Sequence, residues 1–111
     1  MIIVTSDQGT AYEAKNHFKM WGVRKFGLPE GAKNVNLSIS EFLPDGGALM
    51  SSSDKERIYY VLRGSITVRS EHGEEHIINE NDMVYISPGE KREVIVNGLI
   101  AARVLVIIVN V

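Results

Sequence analysis

From end to end this chain is cut into short apolar runs by turn residues, and no stretch repeats its apolar positions at the spacing of a long helix. Val35, Leu37 and Ile39 alternate with Asn36, Ser38 and Ser40, the period of a half-buried strand, and Pro44, Asp45, Gly46 and Gly47 are expected to end that strand. Residues 58–62 and 65–69 are β-rich and hinge at Gly64; Glu71, His72, Gly73 and Glu74 form a hairpin loop; residues 76–79 begin the return. Asn81 and Asp82 lead into 83–86, Ser87, Pro88 and Gly89 break the chain again, 93–96 is a strand, and Asn97 and Gly98 turn it into the final apolar run, 99–109. Before them, one irregular turn within residues 8–20 precedes a strand at about 18–26, which Gly27, Pro29 and Gly31 terminate. Many short strands at such spacing fold as a sandwich or barrel, most simply a jelly roll.

With 111 residues there is room for one core, so residues 1–111 are expected to form one domain, a barrel over about 35–108 preceded by a strand segment in 1–34. A formal net charge of −2 supplies no clustered cationic surface, which argues against nucleic acid or an acidic membrane as partner. The absence of cysteine removes disulfides, thiolate metal sites and a cysteine nucleophile together. The first nine residues lack the basic and apolar regions of a secretory signal, so the expected location is the cytoplasm. The run 99–109 contains Arg103 and is far short of the roughly 20 residues that span a bilayer; its β-branched content makes it a buried strand.

The stretch Glu56-Arg57-Ile58-Tyr59-Tyr60-Val61-Leu62-Arg63-Gly64, followed by Asn81-Asp82-Met83-Val84-Tyr85-Ile86-Ser87-Pro88-Gly89, resembles the two motifs of the cupin superfamily, and the likeness extends over about residues 35–108. It implies an all-β, cupin-type jelly-roll barrel. In that family the motifs carry two histidines, a glutamate and a third histidine that hold a metal. Counting back from Gly64 puts the glutamate position at Arg57 and the paired histidines at Ser51 and Ser53, or at Met50 and Ser52 in the longer register. Counting on from Gly89 puts the last histidine at Arg92, while Asn81 and Ser87 stand where the family has glycine and proline. Serine hydroxyls and guanidiniums that stay protonated cannot replace imidazoles and a carboxylate. The resemblance therefore implies the fold and argues against its usual metal chemistry; no metal and no cofactor are expected.

In that fold the ligand positions point into the barrel mouth, so Arg57, Tyr59 and Val61 face inward from one strand and Arg92, Val94 and Val96 from another. Two buried cations require negative partners. A carboxylate or phosphate of a small anionic metabolite can be that partner, gripped by Arg57 and Arg92, with hydrogen bonds from Ser51 and Ser53 and the Tyr59 ring as a wall. An internal ion pair is the competing reading: Glu41 follows Val35, Leu37 and Ile39 inward, and Glu56 or Asp54 lies at the rim. Two enzymatic alternatives remain. One is a metal-independent isomerase or lyase using Tyr59 with His17 or Glu41 for proton transfer; the other is a metal centre rebuilt from His17, His72 and His76. His72 and His76, beside Glu74 and Glu75, read more simply as a solvated hairpin. Ser51, Ser52 and Ser53 have no neighbouring base, and Gly46-Gly47 opens no helix, so serine nucleophilic catalysis and a phosphate loop are unsupported. The resemblance also implies a homodimer, since such barrels commonly pair through edge strands and the 99–109 run carries more apolar surface than one barrel face needs.

Overall fold

The computed structural model describes residues 1–110. Nine strands, all paired antiparallel, follow one another: β1 Thr10–Tyr12, β2 His17–Phe26, β3 Val35–Ser51, β4 Glu56–Arg63, β5 Ser65–Ser70, β6 Glu75–Asn79, β7 Met83–Ile86, β8 Arg92–Val96 and β9 Ala102–Val109. The one helical feature among the described residues is a 3-10 turn at Leu28–Glu30, with Pro29 at its start and Gly31 in the left-handed region at its end. This is the all-β barrel that the spacing of the apolar runs predicts. Among the described residues no helix is long and apolar enough to cross a membrane.

The nine strands form one sheet that folds over on itself because β3 serves two sets of partners. Residues 35–42 of β3 pair with β9, and residues 47–51 pair with β8. The sheet runs β6-β5-β8-β3-β9-β4-β7, with β2 also paired to β3 and β1 to β2. The strand does not end at Pro44 to Gly47, as its turn residues suggest; it bends there. Asp45 takes a positive φ of 67°, and β2 slips register opposite it, where Lys19 has a φ of 49°. The bend needs glycine because a Cβ at Gly46 would lie 2.5 Å from the Lys19 carbonyl oxygen, and one at Gly47 would collide with that of Val94. Turn chemistry in mid-strand thus makes the corner by which one long strand closes the barrel.

The inner faces meet over Val61, Ile66, Ala102 and Val104, all at most 1% exposed, with Phe42, Ile86, Val94 and Val96 around them. Each fully buried Val or Ile contributes roughly 1.5–3 kcal/mol relative to exposure. Strand β9 is a central strand, flanked by β3 and β4, and starts only at Ala102; Leu99 and Ile100, expected to belong to it, stand in a loop at 93% and 64% exposure.

One parity is reversed. In residues 35–42 of β3 the buried side chains are Ser38, Ser40 and Phe42, so Leu37, Ile39 and Glu41 point outward. Glu41, expected to turn inward, instead pairs with Arg103 at 3.3 Å and Arg63 at 3.6 Å on the outer face. Alternation suggested the opposite because it equates apolar with inside. Here the inner side borders a polar cavity, and the outer side is apolar.

Candidate ligand-binding site

A cavity of about 330 Å³ opens at one end of the barrel. Its deep walls are aliphatic, from Ile66, Val94, Val104 and Val106, and its polar groups come from β1, β2, β3, β4, β8 and the loops at 15–16 and 52–53. Strand alternation carries Arg57, Tyr59 and Val61 inward from β4 and Arg92, Val94 and Val96 inward from β8. Ser51 is paired directly with Arg92 at the end of β3. Ser51, Ser53, Arg57, Tyr59 and Arg92, which the sequence motifs single out from three separate segments, all line this cavity; Glu41 does not.

The two guanidiniums are 5% and 4% exposed. Arg92 is held by uncharged acceptors: its Nε donates to the Tyr59 hydroxyl at 3.0 Å, and its Nη1 donates to Ser51 Oγ at 3.0 Å and to the Leu49 carbonyl at 3.3 Å. Its charged carbon lies 6.0 Å from the centre of the Tyr59 ring. Arg57 donates from Nη2 to the Glu90 carbonyl at 3.1 Å, and its buried Nε has no acceptor. Burial holds the Arg57 pKa below the usual arginine value, with the charge of Arg92 reinforcing that shift and Tyr59 and, more weakly, the Glu90 carboxylate opposing it. Ser53 closes the rim: its hydroxyl accepts from the Lys55 amide at 3.1 Å, and its carbonyl accepts from the Gly89 amide at 2.7 Å.

Among the described residues no carboxylate forms an ion pair with Arg57 or Arg92. Each acid the sequence offers is occupied elsewhere or stands apart. Glu41 serves Arg63 and Arg103, Glu56 accepts from the Tyr85 hydroxyl at 2.7 Å, Glu90 accepts from the Ser87 amide at 3.1 Å, and no ion pair joins Asp54 to either arginine.

Lining groups not singled out by the sequence motifs include Tyr12, Lys15, Asn16, Ser40 and Phe42. The Tyr12 hydroxyl is 3.5 Å from Ser40 Oγ, which ties β1 to the inner face of β3. The signal was present in the period-two serines Ser38 and Ser40, since a strand facing a polar cavity carries its polar residues inward. His17, considered only for proton transfer or a rebuilt metal centre, also lines the cavity at the start of β2. Its ring stacks on Phe42, centroids 6.2 Å apart and planes 27° from parallel.

The donor set does not fit the metal that the family resemblance implies. Two serines and two arginines occupy its positions, and no cluster of three or more His, Asp or Glu able to hold an ion occurs among the described residues. His72 and His76 do not join His17; they sit on the β5–β6 hairpin with side chains 80% and 60% exposed.

Residues 38–108 match the family described as Cupin domain. No curated protein matches the sequence significantly. Among solved structures, the polyketide cyclase RemF from Streptomyces resistomycificus is similar in fold, with a TM-score of 0.87 and 20% identity over 100% of this chain and 80% of that one. A predicted oxalate decarboxylase from Thermotoga maritima superposes with a TM-score of 0.83 at 16% identity, over 99% of this chain and 100% of the other. EutQ of Clostridium difficile gives 0.70 at 16% identity, over 82% of this chain and 68% of its own. Identities this low speak for the fold alone, and a barrel of this kind hosts many chemistries. With two motif-bearing strands, a corner-turning β3 and a family match across most of the barrel, the chain belongs to the cupin family.

Proposed function

We propose that this cupin binds a small anionic metabolite, a carboxylate or phosphate, in the barrel mouth without a metal ion. The carrying observation is the pair of buried guanidiniums without a carboxylate partner, one with an orphaned Nε. An uncompensated buried cation costs several kcal/mol, roughly, and two in one cavity also repel each other. A bound anion offsets both costs, and a guanidinium with free donors suits the two oxygens of a carboxylate. The test is thermal denaturation with a series of carboxylates and with inorganic phosphate, for the wild type and Arg92→Ala, beside elemental analysis of tag-free protein. Anion-dependent stabilisation lost in the variant supports the reading. Identical responses, or near one equivalent of transition metal in the purified protein, overturn it.

A second reading is favoured by one observation, the imidazole of His17 in the same cavity as Tyr59. A neutral histidine facing a bound anion is placed for proton transfer of the isomerase or lyase kind, with Tyr59 as the partner hydroxyl. Glu41 has no part in it. Exchange of a ligand carbon-bound proton with deuterated solvent, lost in His17→Phe, distinguishes an enzyme from a binding module.

We also propose that the chain pairs with a second copy, through a sheet face. On the outer surface Val23, Ile39, Leu105, Tyr60 and Met83 lie in one row across β2, β3, β9, β4 and β7, and Leu37, Ile107, Ile58 and Tyr85 lie in the next. Met83 and Tyr85 are 63% and 54% exposed. Contiguous apolar surface of this kind favours an isologous contact.

A further inference from the structure

One side chain of the cavity is fixed as an acceptor by its own backbone contact. Serine and tyrosine hydroxyls turn to donate or accept, and guanidiniums only donate. His17 Nδ1 lies 2.7 Å from the backbone carbonyl oxygen of Lys15, and a carbonyl can only accept, so Nδ1 carries the hydrogen. The other nitrogen, Nε2, is then an acceptor, and no hydrogen bond engages it among the described residues. The bond from Nδ1 to the Lys15 carbonyl sets which edge of the ring faces the backbone, and the ring stacks on Phe42. Burial, then the charges of Arg92 and Arg57, hold the His17 pKa below its ordinary value, although the bond to Lys15 opposes this, and the ring is neutral at neutral pH. The charged groups facing it across the cavity are Arg57, Arg92 and Lys15, all cationic.

The cavity therefore presents three complementary demands: guanidinium donors for an anion, aliphatic walls for a hydrocarbon body, and a lone pair at Nε2 for a donor. We infer that the ligand is an apolar ring or chain bearing a carboxylate and a hydroxyl, the carboxylate on Arg57 and Arg92 and the hydroxyl donating to Nε2 of His17. This rests on the anion reading above and narrows it to hydroxy-carboxylates. A space of about 330 Å³ takes one ring with two small substituents.

The experiment is calorimetric titration of the full chain at neutral pH with benzoate, benzyl alcohol, the three hydroxybenzoate isomers and their methyl ethers. At least one hydroxybenzoate should bind about tenfold more tightly than its ether, the worth of one buried hydrogen bond. In His17→Phe, which keeps an aromatic ring against Phe42, that preference should vanish while benzoate still binds. If every hydroxybenzoate matches its ether, or if the preference survives in His17→Phe as a steric effect of the ether would, the role of His17 is wrong. If benzoate binds no better than benzyl alcohol, the anion reading fails, and this inference fails with it. Nitrogen-15 NMR of the wild-type imidazole needs no variant: the Nδ1–H tautomer is expected for His17, and the Nε2–H tautomer overturns the inference.

Discussion

Arg92 Nε donates to the Tyr59 hydroxyl at 3.0 Å, a buried bond between the inner faces of β8 and β4 in which a full positive charge meets a neutral oxygen. With the bonds to Ser51 and Leu49 it fixes the plane of the guanidinium without neutralising it. Removing the hydroxyl in Tyr59→Phe leaves Nε unsatisfied, and the expected cost is about 1–3 kcal/mol in urea denaturation. The same change should have little effect once Arg92 is already methionine. Equal costs of Tyr59→Phe in both backgrounds would show that the hydroxyl does not act through Arg92.

Arg57 should show the reverse. It is buried, makes one hydrogen bond to the Glu90 carbonyl and leaves Nε unpartnered, so in the ligand-free protein it is a cost to the fold. Arg57→Met keeps the volume and removes the charge. Equilibrium unfolding should find the variant about 1–3 kcal/mol more stable, and anions should no longer raise its melting temperature. A variant less stable than wild type would mark Arg57 as structural.

His17 makes stability depend on pH. Its folded-state pKa lies below the ordinary value of 6.5, chiefly through burial and then through Arg92 and Arg57. Above that value the ring is neutral in both folded and unfolded chains, and it contributes no slope. As pH falls below it, the unfolded chain takes up the proton first, so stability declines until pH reaches the folded-state pKa. Urea midpoints should therefore fall as the pH drops below 6.5, and the fall should be smaller in His17→Phe. Parallel curves for the two proteins would mean that His17 titrates alike in both states.

The succession of strands along the chain and the cavity arginines were legible in the sequence because both are written in spacing. Gly64 and Gly89 set the counts, and period two carried Arg57 and Arg92 to the same side as Tyr59 and Val94. What failed was the assignment of sides on β3. Ser38 and Ser40 are 6% and 2% exposed while Leu37 and Ile39 face out, because a cavity makes an inner face polar and an apolar outer face inverts the usual cue. The bend failed for a similar reason. Pro44, Asp45, Gly46 and Gly47 read locally as a turn, and only the approach of the Lys19 and Val94 carbonyls shows that a continuous strand needs those residues. The fixed tautomer of His17 depends on a backbone carbonyl two residues away and has no trace in residue type.

The same inversion on β3 leads to the last prediction. Leu37 and Ile39 on β3 stand against Ile107 and Leu105 on β9, and Ile58 and Tyr60 on β4 continue the two rows, so the apolar surface centres on β9. A second copy seated there buries the whole patch, whereas pairing by an edge strand leaves it in water. Ile107→Lys places a charge at the middle of that contact and should raise the dimer dissociation constant by about a hundredfold or more, the effect of removing a central anchor. Leu99→Lys, in an exposed loop outside these rows, should leave it unchanged. Light scattering across a dilution series of the three proteins checks this. A wild type at monomer mass throughout removes the dimer, and dissociation by Leu99→Lys but not Ile107→Lys moves the interface to the end of the barrel where that loop lies.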